Sequence, residues 1–301
     1  MPRTASPSRR SRSFRFAAAF VVLVALAGYV AVQYVSGYKG APRCTVRAAD
    51  GGRTYAMSPE MAANAATISA VGTTRGMPER AVTIALATAL QESALRNIDH
   101  GDRDSLGLFQ QRPSQGWGTA EQILDPVYAS GEFYEHLAEV PGYSRLPLTE
   151  AAQRVQKSGF PQAYAKHEPD AALLSAALTG RAPASLTCSL PAGTGTASGP
   201  GDAAEVRADL VRAFGKDVLP ATRSSGSSAA GTVTVPVGPA TEADDDAARR
   251  GWEFAHWAVA RADTLRIDEV SYAGQIWTAD TGWRTEREES GTTTVRMRLA
   301  Q

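Results

Sequence analysis

The stretch PERAVTIALATALQES, residues 78–93, and the stretch SLGLFQQ, residues 105–111, decide the fold of this chain. Pro78 and Glu79 suit the first turn of a helix. Apolar residues then occupy every face of that helix between Ala81 and Leu90. Because a helix that is apolar on all sides is normally buried, the first stretch predicts a helix in the centre of a helical core.

Glu92 lies at the C-terminal end of this predicted helix, at the rim of the core. Desolvation and the negative end of the helix dipole both disfavour the charged form of a carboxyl group. A carboxylic acid that keeps its proton near neutral pH is what acid catalysis at a glycosidic oxygen requires. Glu92 is therefore the candidate acid, and the alternative is a polar residue that only finishes a helix.

Glu92-Ser93, followed after a loop by Ser105-Leu106-Gly107-Leu108-Phe109-Gln110, resembles two motifs of the lysozyme-like superfamily, which includes lytic transglycosylases and goose-type lysozymes. The resemblance covers roughly residues 44–188. It implies that Glu92 protonates the glycosidic oxygen of peptidoglycan and that Ser105 and Gln110 line the sugar site.

A third motif of this superfamily, usually Ala-Tyr-Asn, brings a tyrosine close to the acid. Here the chain has Ala163-Tyr164-Ala165, so the tyrosine is present and the asparagine is absent. The resemblance implies that Tyr164 lies beside Glu92; packing in the core is the alternative for this residue. The missing asparagine keeps open a fold that binds glycan without cleaving it.

One positioned acid is sufficient if the N-acetyl group of the substrate assists departure of the leaving group, as the resemblance to lytic transglycosylases implies. A hydrolase usually needs a second carboxylate. Asp99, Asp102 and Asp104 lie in the following loop, but the sequence does not place them relative to Glu92. We therefore favour the mechanism with one acid, which gives an anhydro-sugar product.

Residues 16–35, FAAAFVVLVALAGYVAVQYV, carry no charge and follow five arginines. As a helix they would extend about 30 Å, the thickness of a bilayer core. The arginines predict a cytoplasmic N-terminus and an extracellular bulk in a single-pass cell-membrane protein. A cleaved signal peptide is the alternative, because Ala25-Leu26-Ala27 resembles a cleavage site, but the apolar run continues past it.

Cys44 and Cys188 are the only cysteines, and both follow the predicted anchor. Outside the cell a disulfide between them would persist; two free thiols are the alternative. The predicted fold class is a mainly α lysozyme-like domain after one N-terminal transmembrane helix, plus a small C-terminal α+β domain. The predicted segments are a basic tail (1–15), the anchor (16–35), the lysozyme-like domain (44–188), a linker (189–202), a helix (203–220), a second linker (221–246) and the α+β domain (247–301).

Within residues 44–188 a helix is predicted from Pro59, with Ser58 as its cap, and shorter helices are predicted at 120–123, 126–139, 149–158 and 161–168. The C-terminal domain combines a helix with three strand-like runs and holds four of the five tryptophans. These indole rings suit either a small core or stacking on sugars. This domain also resembles the tail of a module related to zinc peptidases but lacks the zinc-binding pattern, so we predict an accessory role.

Charge and motifs exclude several classes of function. Without the five N-terminal arginines, 26 basic residues stand against 31 acidic ones, a balance that argues against nucleic acid as a partner. The carboxylates of residues 99–105 lack the closing Glu of a calcium loop, and the four histidines form no metal-binding pair. We predict no metal and no cofactor.

The sequence thus predicts a peptidoglycan-cleaving enzyme, with glycan strands as substrate and other cell-wall enzymes as further partners. The alternative is an inactive peptidoglycan-binding or scaffold protein of the cell envelope.

Overall fold

A computed structural model describes residues 16, 19–29, 41–158, 160, 162–190, 199–219, 231–237, 244–286 and 293–301. It divides into two compact units, Met1–Ala41 and Pro42–Gln301. The predicted basic tail at 1–15 lies outside the described residues. So do residues 191–198 of the first predicted linker, residue 220 at the end of the predicted helix, and residues 221–230 and 238–243 of the second predicted linker.

The expected transmembrane anchor is contradicted. In the described part of the chain no helix is both long and apolar enough to cross a membrane. Residue 16 and residues 19–29 are helical where the structure describes them. Residues 17–18 and 30–35 of the predicted span lie outside the described residues. The transmembrane helix in the predicted fold class is therefore wrong, and so is the single-pass localisation that depended on it.

A three-stranded antiparallel sheet begins the larger unit, in the order β2-β1-β3, with β1 at Arg43–Arg47, β2 at Thr54–Met57 and β3 at Leu186–Ser189. Cys44 and Cys188 are direct partners in the register of β1 and β3, and they form a disulfide. The predicted disulfide is confirmed. The sequence analysis missed all three strands, because they are short and the pairing of β1 with β3 joins segments more than 140 residues apart.

The helical part consists of α1 (Pro59–Thr74), α2 (Glu79–Ser93), α3 (Ala120–Ile123), α4 (Pro126–Ala138), α5 (Leu148–Gln156) and α6 (Glu168–Leu178). Ser58 caps α1 as predicted, since its hydroxyl accepts a hydrogen bond from the amide of Met61. Helix α2 is buried from Ala81 to Leu90, and it contacts α1, α4, α5 and α6. The central buried helix is thus confirmed.

Helix α6 is longer and later than the helix predicted at 161–168. Residues 162–164 form a turn and Ala165–His167 a 3₁₀ turn, and α6 then starts at Glu168 with Pro169 in its first turn. Ala, Leu and Ser dominate α6, so it lacks the polar stripe that marks an amphipathic helix. The Glu-Pro pair was the signal that could have located its start.

The remaining elements form a helix pair and a five-stranded sheet. They are α7 (Ala203–Phe214), β4 (Thr232–Pro236), α8 (Asp244–Leu265), β5 (Ile267–Tyr272), β6 (Gln275–Thr278), β7 (Gly282–Thr285) and β8 (Thr294–Leu299). The sheet is antiparallel with the order β4-β8-β5-β6-β7. Strand β4 lies within the segment predicted as the second linker.

Helix α8 joins the two parts of the larger unit, because it contacts α1, α6 and β3 as well as β5 and β8. The buried His256 ring on α8 hydrogen-bonds through Nδ1 to the carbonyl oxygen of Ala177 at 2.7 Å. The indole nitrogens of Trp277 and Trp283 donate to Thr187 Oγ1 and to the carbonyl oxygen of Leu186. Trp252, Trp257 and Trp277 are buried. The C-terminal tryptophans therefore pack in the core.

Candidate active site

Glu92 and Tyr164 meet at the end of α2. The Tyr164 hydroxyl donates a hydrogen bond of 2.7 Å to Glu92 Oε1, while the tyrosine side chain is fully buried and Glu92 is partly exposed. A buried aromatic ring thus holds one oxygen of a carboxyl group whose position is still accessible from solvent.

Tyr164 stays protonated at this position. Burial is the main cause that raises the pKa of its hydroxyl, and the charge and hydrogen bond of Glu92 raise it further. A hydrogen bond with the Ser158 side chain acts in the opposite sense. The tyrosine therefore acts as a permanent hydrogen-bond donor to Glu92 rather than as a base.

Ser93 attaches the loop of the second motif to the end of α2. Its hydroxyl donates to the carbonyl oxygen of Leu108 at 2.8 Å, and it also lies 3.2 Å from the carbonyl oxygen of Ala89 in its own helix. Ser93 is buried, so this bond is shielded from water. The Glu-Ser pair thus has two roles: Glu92 presents the carboxyl group and Ser93 positions the loop beside it.

The loop itself is a small closed turn. The backbones of Leu106 and Gln111 form two mutual hydrogen bonds of 2.9 and 3.0 Å, and the Gln111 side chain donates to the carbonyl oxygen of Ala129. The ring of Phe109 is fully buried and stacks on Phe133 with centroids 4.6 Å apart. Phe109, which replaces the usual methionine of the motif, therefore anchors the turn in the core.

Ser105 directly precedes this turn, and Gln110 lies within it. Ser105 is 8% exposed, and its amide donates to the carbonyl oxygen of Asp102. Gln110 has a positive φ of 48°, and its side-chain amide donates to the carbonyl oxygens of His100 and Gly107 at 3.4 and 3.3 Å. In this structure the Gln110 side chain braces the turn, and the Ser105 amide is bonded just before it. Their predicted contact with sugar stays a prediction.

The three loop carboxylates differ in their surroundings. The Asp104 carboxylate accepts hydrogen bonds from the Ser114 amide and from the Arg112 guanidinium. Hydrogen bonds with Ser114 are the main cause that holds the pKa of Asp104 below its usual range, and the bond with Arg112 lowers it further. Asp99 is largely exposed and lies 3.0 Å from His100. Asp102 is exposed. In the residues that the structure describes, no bond connects any of the three to Glu92.

Two positioning residues, Gln156 and His167, escaped the sequence analysis. Gln156 at the end of α5 donates to the carbonyl oxygen of Phe109 at 2.7 Å. His167 Nε2 lies 3.1 Å from Oε1 of Gln91, the residue that precedes Glu92. Burial is the main cause that lowers the pKa of His167, and the charge of Lys166 lowers it further. No local pattern marks these residues, because each contacts the site from a helix or turn far along the chain.

No group of three histidine, cysteine, aspartate or glutamate side chains is placed to hold a metal ion in the described ranges. The site brings together the Glu92 carboxyl group, the Tyr164 hydroxyl that donates to it, and the closed turn of residues 106–111 beside them.

Comparison with known proteins gives one family match. The model of the family described as "VldE, C-terminal domain" matches residues 202–297, about a third of the chain, from α7 to β8. No curated protein matches the sequence. The matched region does not include Glu92, Ser105, Gln110 or Tyr164.

Proposed function

We propose that this chain is a peptidoglycan-cleaving enzyme of the lytic transglycosylase or lysozyme type, with Glu92 as its acid. The observation that supports the proposal is the hydrogen bond of Tyr164 to Glu92 Oε1. Because Oε1 of Glu92 already accepts a hydrogen bond from Tyr164, Oε2 is the oxygen that would carry the proton for the substrate. The disulfide suits an oxidising compartment outside the cytoplasm, where peptidoglycan is found.

In the proposed reaction Glu92 donates its proton to the glycosidic oxygen as the bond from that oxygen to the anomeric carbon breaks. The N-acetyl group of the substrate assists this departure. The C6 hydroxyl of the same sugar then forms a bond to the anomeric carbon, and its proton returns to the Glu92 carboxylate. The product is an anhydro-sugar, and no water is consumed.

The surroundings of the aspartates favour the lyase over the hydrolase. An inverting or retaining hydrolase places a second carboxyl group about 5 to 9.5 Å from the acid. Asp104 is bound to Arg112 and Ser114, and Asp99 lies in the exposed part of the loop beside His100. Asp104 is thus already engaged by a cation and an amide, which leaves it poorly suited to act as a nucleophile or base.

A non-catalytic peptidoglycan-binding or scaffold role is the second candidate. Ala165 occupies the place of the usual asparagine, so one polar group of the third motif is missing. In addition, the Gln110 side chain is bonded to the carbonyl oxygens of its own loop. A site with these two features could hold glycan without cleaving it.

The test is incubation of the purified full-length chain with peptidoglycan, followed by mass analysis of the released muropeptides. Glu92→Gln keeps the size of the side chain and removes the acid, and Glu139→Gln is the matched control at an exposed position. Anhydro-sugar products that disappear only in Glu92→Gln would support the lyase, and reducing-end products would indicate a hydrolase. No release, together with sedimentation of the protein with the wall, would support the binding role instead.

A further inference from the structure

Phe160 is an exposed aromatic residue on the loop that leads from α5 to Tyr164. Its side chain is 78% exposed, whereas every other phenylalanine, tyrosine and tryptophan that the structure describes in the larger unit is buried or partly buried. An apolar ring is less favourable in water than against another apolar surface. Phe160 is therefore a candidate for contact with a ligand.

The backbone of Phe160 is bonded on both sides. Its amide donates to Ser158 Oγ at 3.1 Å, and its carbonyl oxygen accepts from the Ala163 amide at 3.0 Å. The carbonyl oxygen of Ser158 accepts from the side chain of Gln153 on α5 at 2.6 Å. The loop thus holds the ring at a defined place, and a binding group that is already in position loses less entropy when a ligand arrives.

Hydrogen bonds in series connect Phe160 to the proposed acid. The Ser158 hydroxyl that accepts from the Phe160 amide also bonds with the side chain of Tyr164. The Tyr164 hydroxyl donates to Glu92 Oε1. Three such bonds place the Phe160 amide within about 10 Å of Glu92 Oε1. A glycan strand bound at Glu92 extends to both sides of the bond that is cleaved, so one of its sugars comes within reach of the ring.

The small extent of the exposed apolar surface fits a sugar better than a protein partner. Lys157 and Gln162, on either side of Phe160 in the chain, are exposed and polar. Val211, on α7, is the other exposed large apolar side chain in the part of the larger unit that the structure describes. A protein interface covers about 800 Å² on each partner, whereas a single flat ring matches the apolar C–H face of one pyranose.

We propose that Phe160 is a substrate-binding residue on which one sugar ring of the glycan strand stacks. The inference rests on the proposed function, which supplies glycan as the ligand. The ring takes no part in breaking the glycosidic bond. Its removal should therefore weaken binding and raise KM, and it should leave kcat unchanged.

The first test is a calorimetric titration of the full-length chain with a hexamer of N-acetylglucosamine, a glycan that carries no peptide. Glu92→Gln is the common background, because it removes the proposed acid and so keeps the hexamer intact. Adding Phe160→Ala should weaken the affinity about five- to tenfold, since one face of the ring no longer covers the sugar.

Two further variants separate stacking from apolar bulk. Phe160→Leu keeps an apolar side chain without a flat face, so it should weaken binding nearly as much as Phe160→Ala. Phe160→Trp keeps a flat face and should bind at least as tightly as the background. Val211→Ala is the matched control, an exposed apolar residue on α7, and it should leave the affinity unchanged. The inference is overturned if the background does not bind the hexamer, or if Phe160→Ala binds it as tightly as the background does.

The second test is steady-state cleavage of soluble glycan strands by the natural chain and by Phe160→Ala. KM should rise by the factor found in the titration, with the same kcat; a lower kcat at unchanged KM would contradict the binding role. The two proposals fail separately. Binding that depends on Phe160, without cleavage by the natural chain, supports this inference and rejects the proposed function. Cleavage by a chain whose affinity does not depend on Phe160 does the reverse.

Discussion

The Tyr164 hydroxyl lies 2.7 Å from Glu92 Oε1, although 72 positions separate the two residues in sequence. The contact joins the end of α2 to the turn before α6, and it gives the carboxyl group a fixed direction. Its loss should therefore affect the proposed catalysis more than the stability of the fold.

Tyr164→Phe keeps the buried ring and removes the donor. Glu92 becomes charged as it gives its proton to the glycosidic oxygen, and a hydrogen bond to a charged group contributes about 1.5 to 3 kcal/mol, so kcat for glycan cleavage should fall roughly 10- to 100-fold. Tyr134→Phe is the matched control, because Tyr134 is equally buried but donates to the backbone carbonyl of Ile68. It should lose about 1 kcal/mol of stability and keep its kcat. Equal loss of kcat in both variants would contradict the role given to Tyr164.

Ser93→Ala removes the bond between α2 and the carbonyl oxygen of Leu108. Because this leaves a buried acceptor unpaired, the free energy of unfolding should fall by about 1 to 3 kcal/mol, as measured by urea denaturation. Thr88→Val is the control, since the hydroxyl of Thr88 bonds only within its own helix, to Ile84. If the two variants lose the same free energy, the contact with the loop contributes nothing.

Replacing both cysteines, Cys44→Ala with Cys188→Ala, should lower the midpoint of thermal unfolding. The disulfide spans 144 residues, and the chain-entropy model gives about 5 kcal/mol for so long a loop. A reducing agent should destabilise the natural chain to a similar extent and leave the double variant unaffected. A midpoint that does not respond to reduction would show that the strand pairing alone holds these two segments together.

His256 should make stability depend on pH. Burial lowers the pKa of His256 to about 4, from an ordinary value of 6.5. Between these two pH values the unfolded chain binds more protons than the folded chain, so the free energy of unfolding falls as the pH falls. The shift corresponds to a loss of up to about 3 kcal/mol.

The measurement is urea unfolding of the natural chain and of His256→Gln at pH 7, 5.5 and 4. The variant should lose less stability than the natural chain over this range. Burial raises the pKa of the neighbouring Glu253, so protonation of Glu253 increases the free energy of unfolding as the pH falls. This contribution is common to both proteins. His100→Gln, at a largely exposed position, should follow the natural chain. Parallel curves for all three proteins would exclude His256 as the group responsible.

Local patterns in the sequence were sufficient for α1 and α2. Ser58 and Pro59 start α1, and the all-apolar run after Glu79 marks α2 as buried. The two cysteines suggested a disulfide, with two free thiols as the alternative, and the structure shows the disulfide. The transmembrane anchor expected at 16–35 was wrong, since no helix among the described residues is both long and apolar enough to cross a membrane.

The sequence by itself determined that a glutamate ends a buried helix and that a glycine-containing turn follows it, since both depend on neighbours within a few residues. Only the tertiary structure decided that Tyr164 donates to Glu92, that β1 pairs with β3, and that α8 packs against α1 and α6. The physical reason is that these contacts join segments far apart in the chain. Their partners are selected by burial and shape in the folded core, and no local spacing of residues encodes that choice.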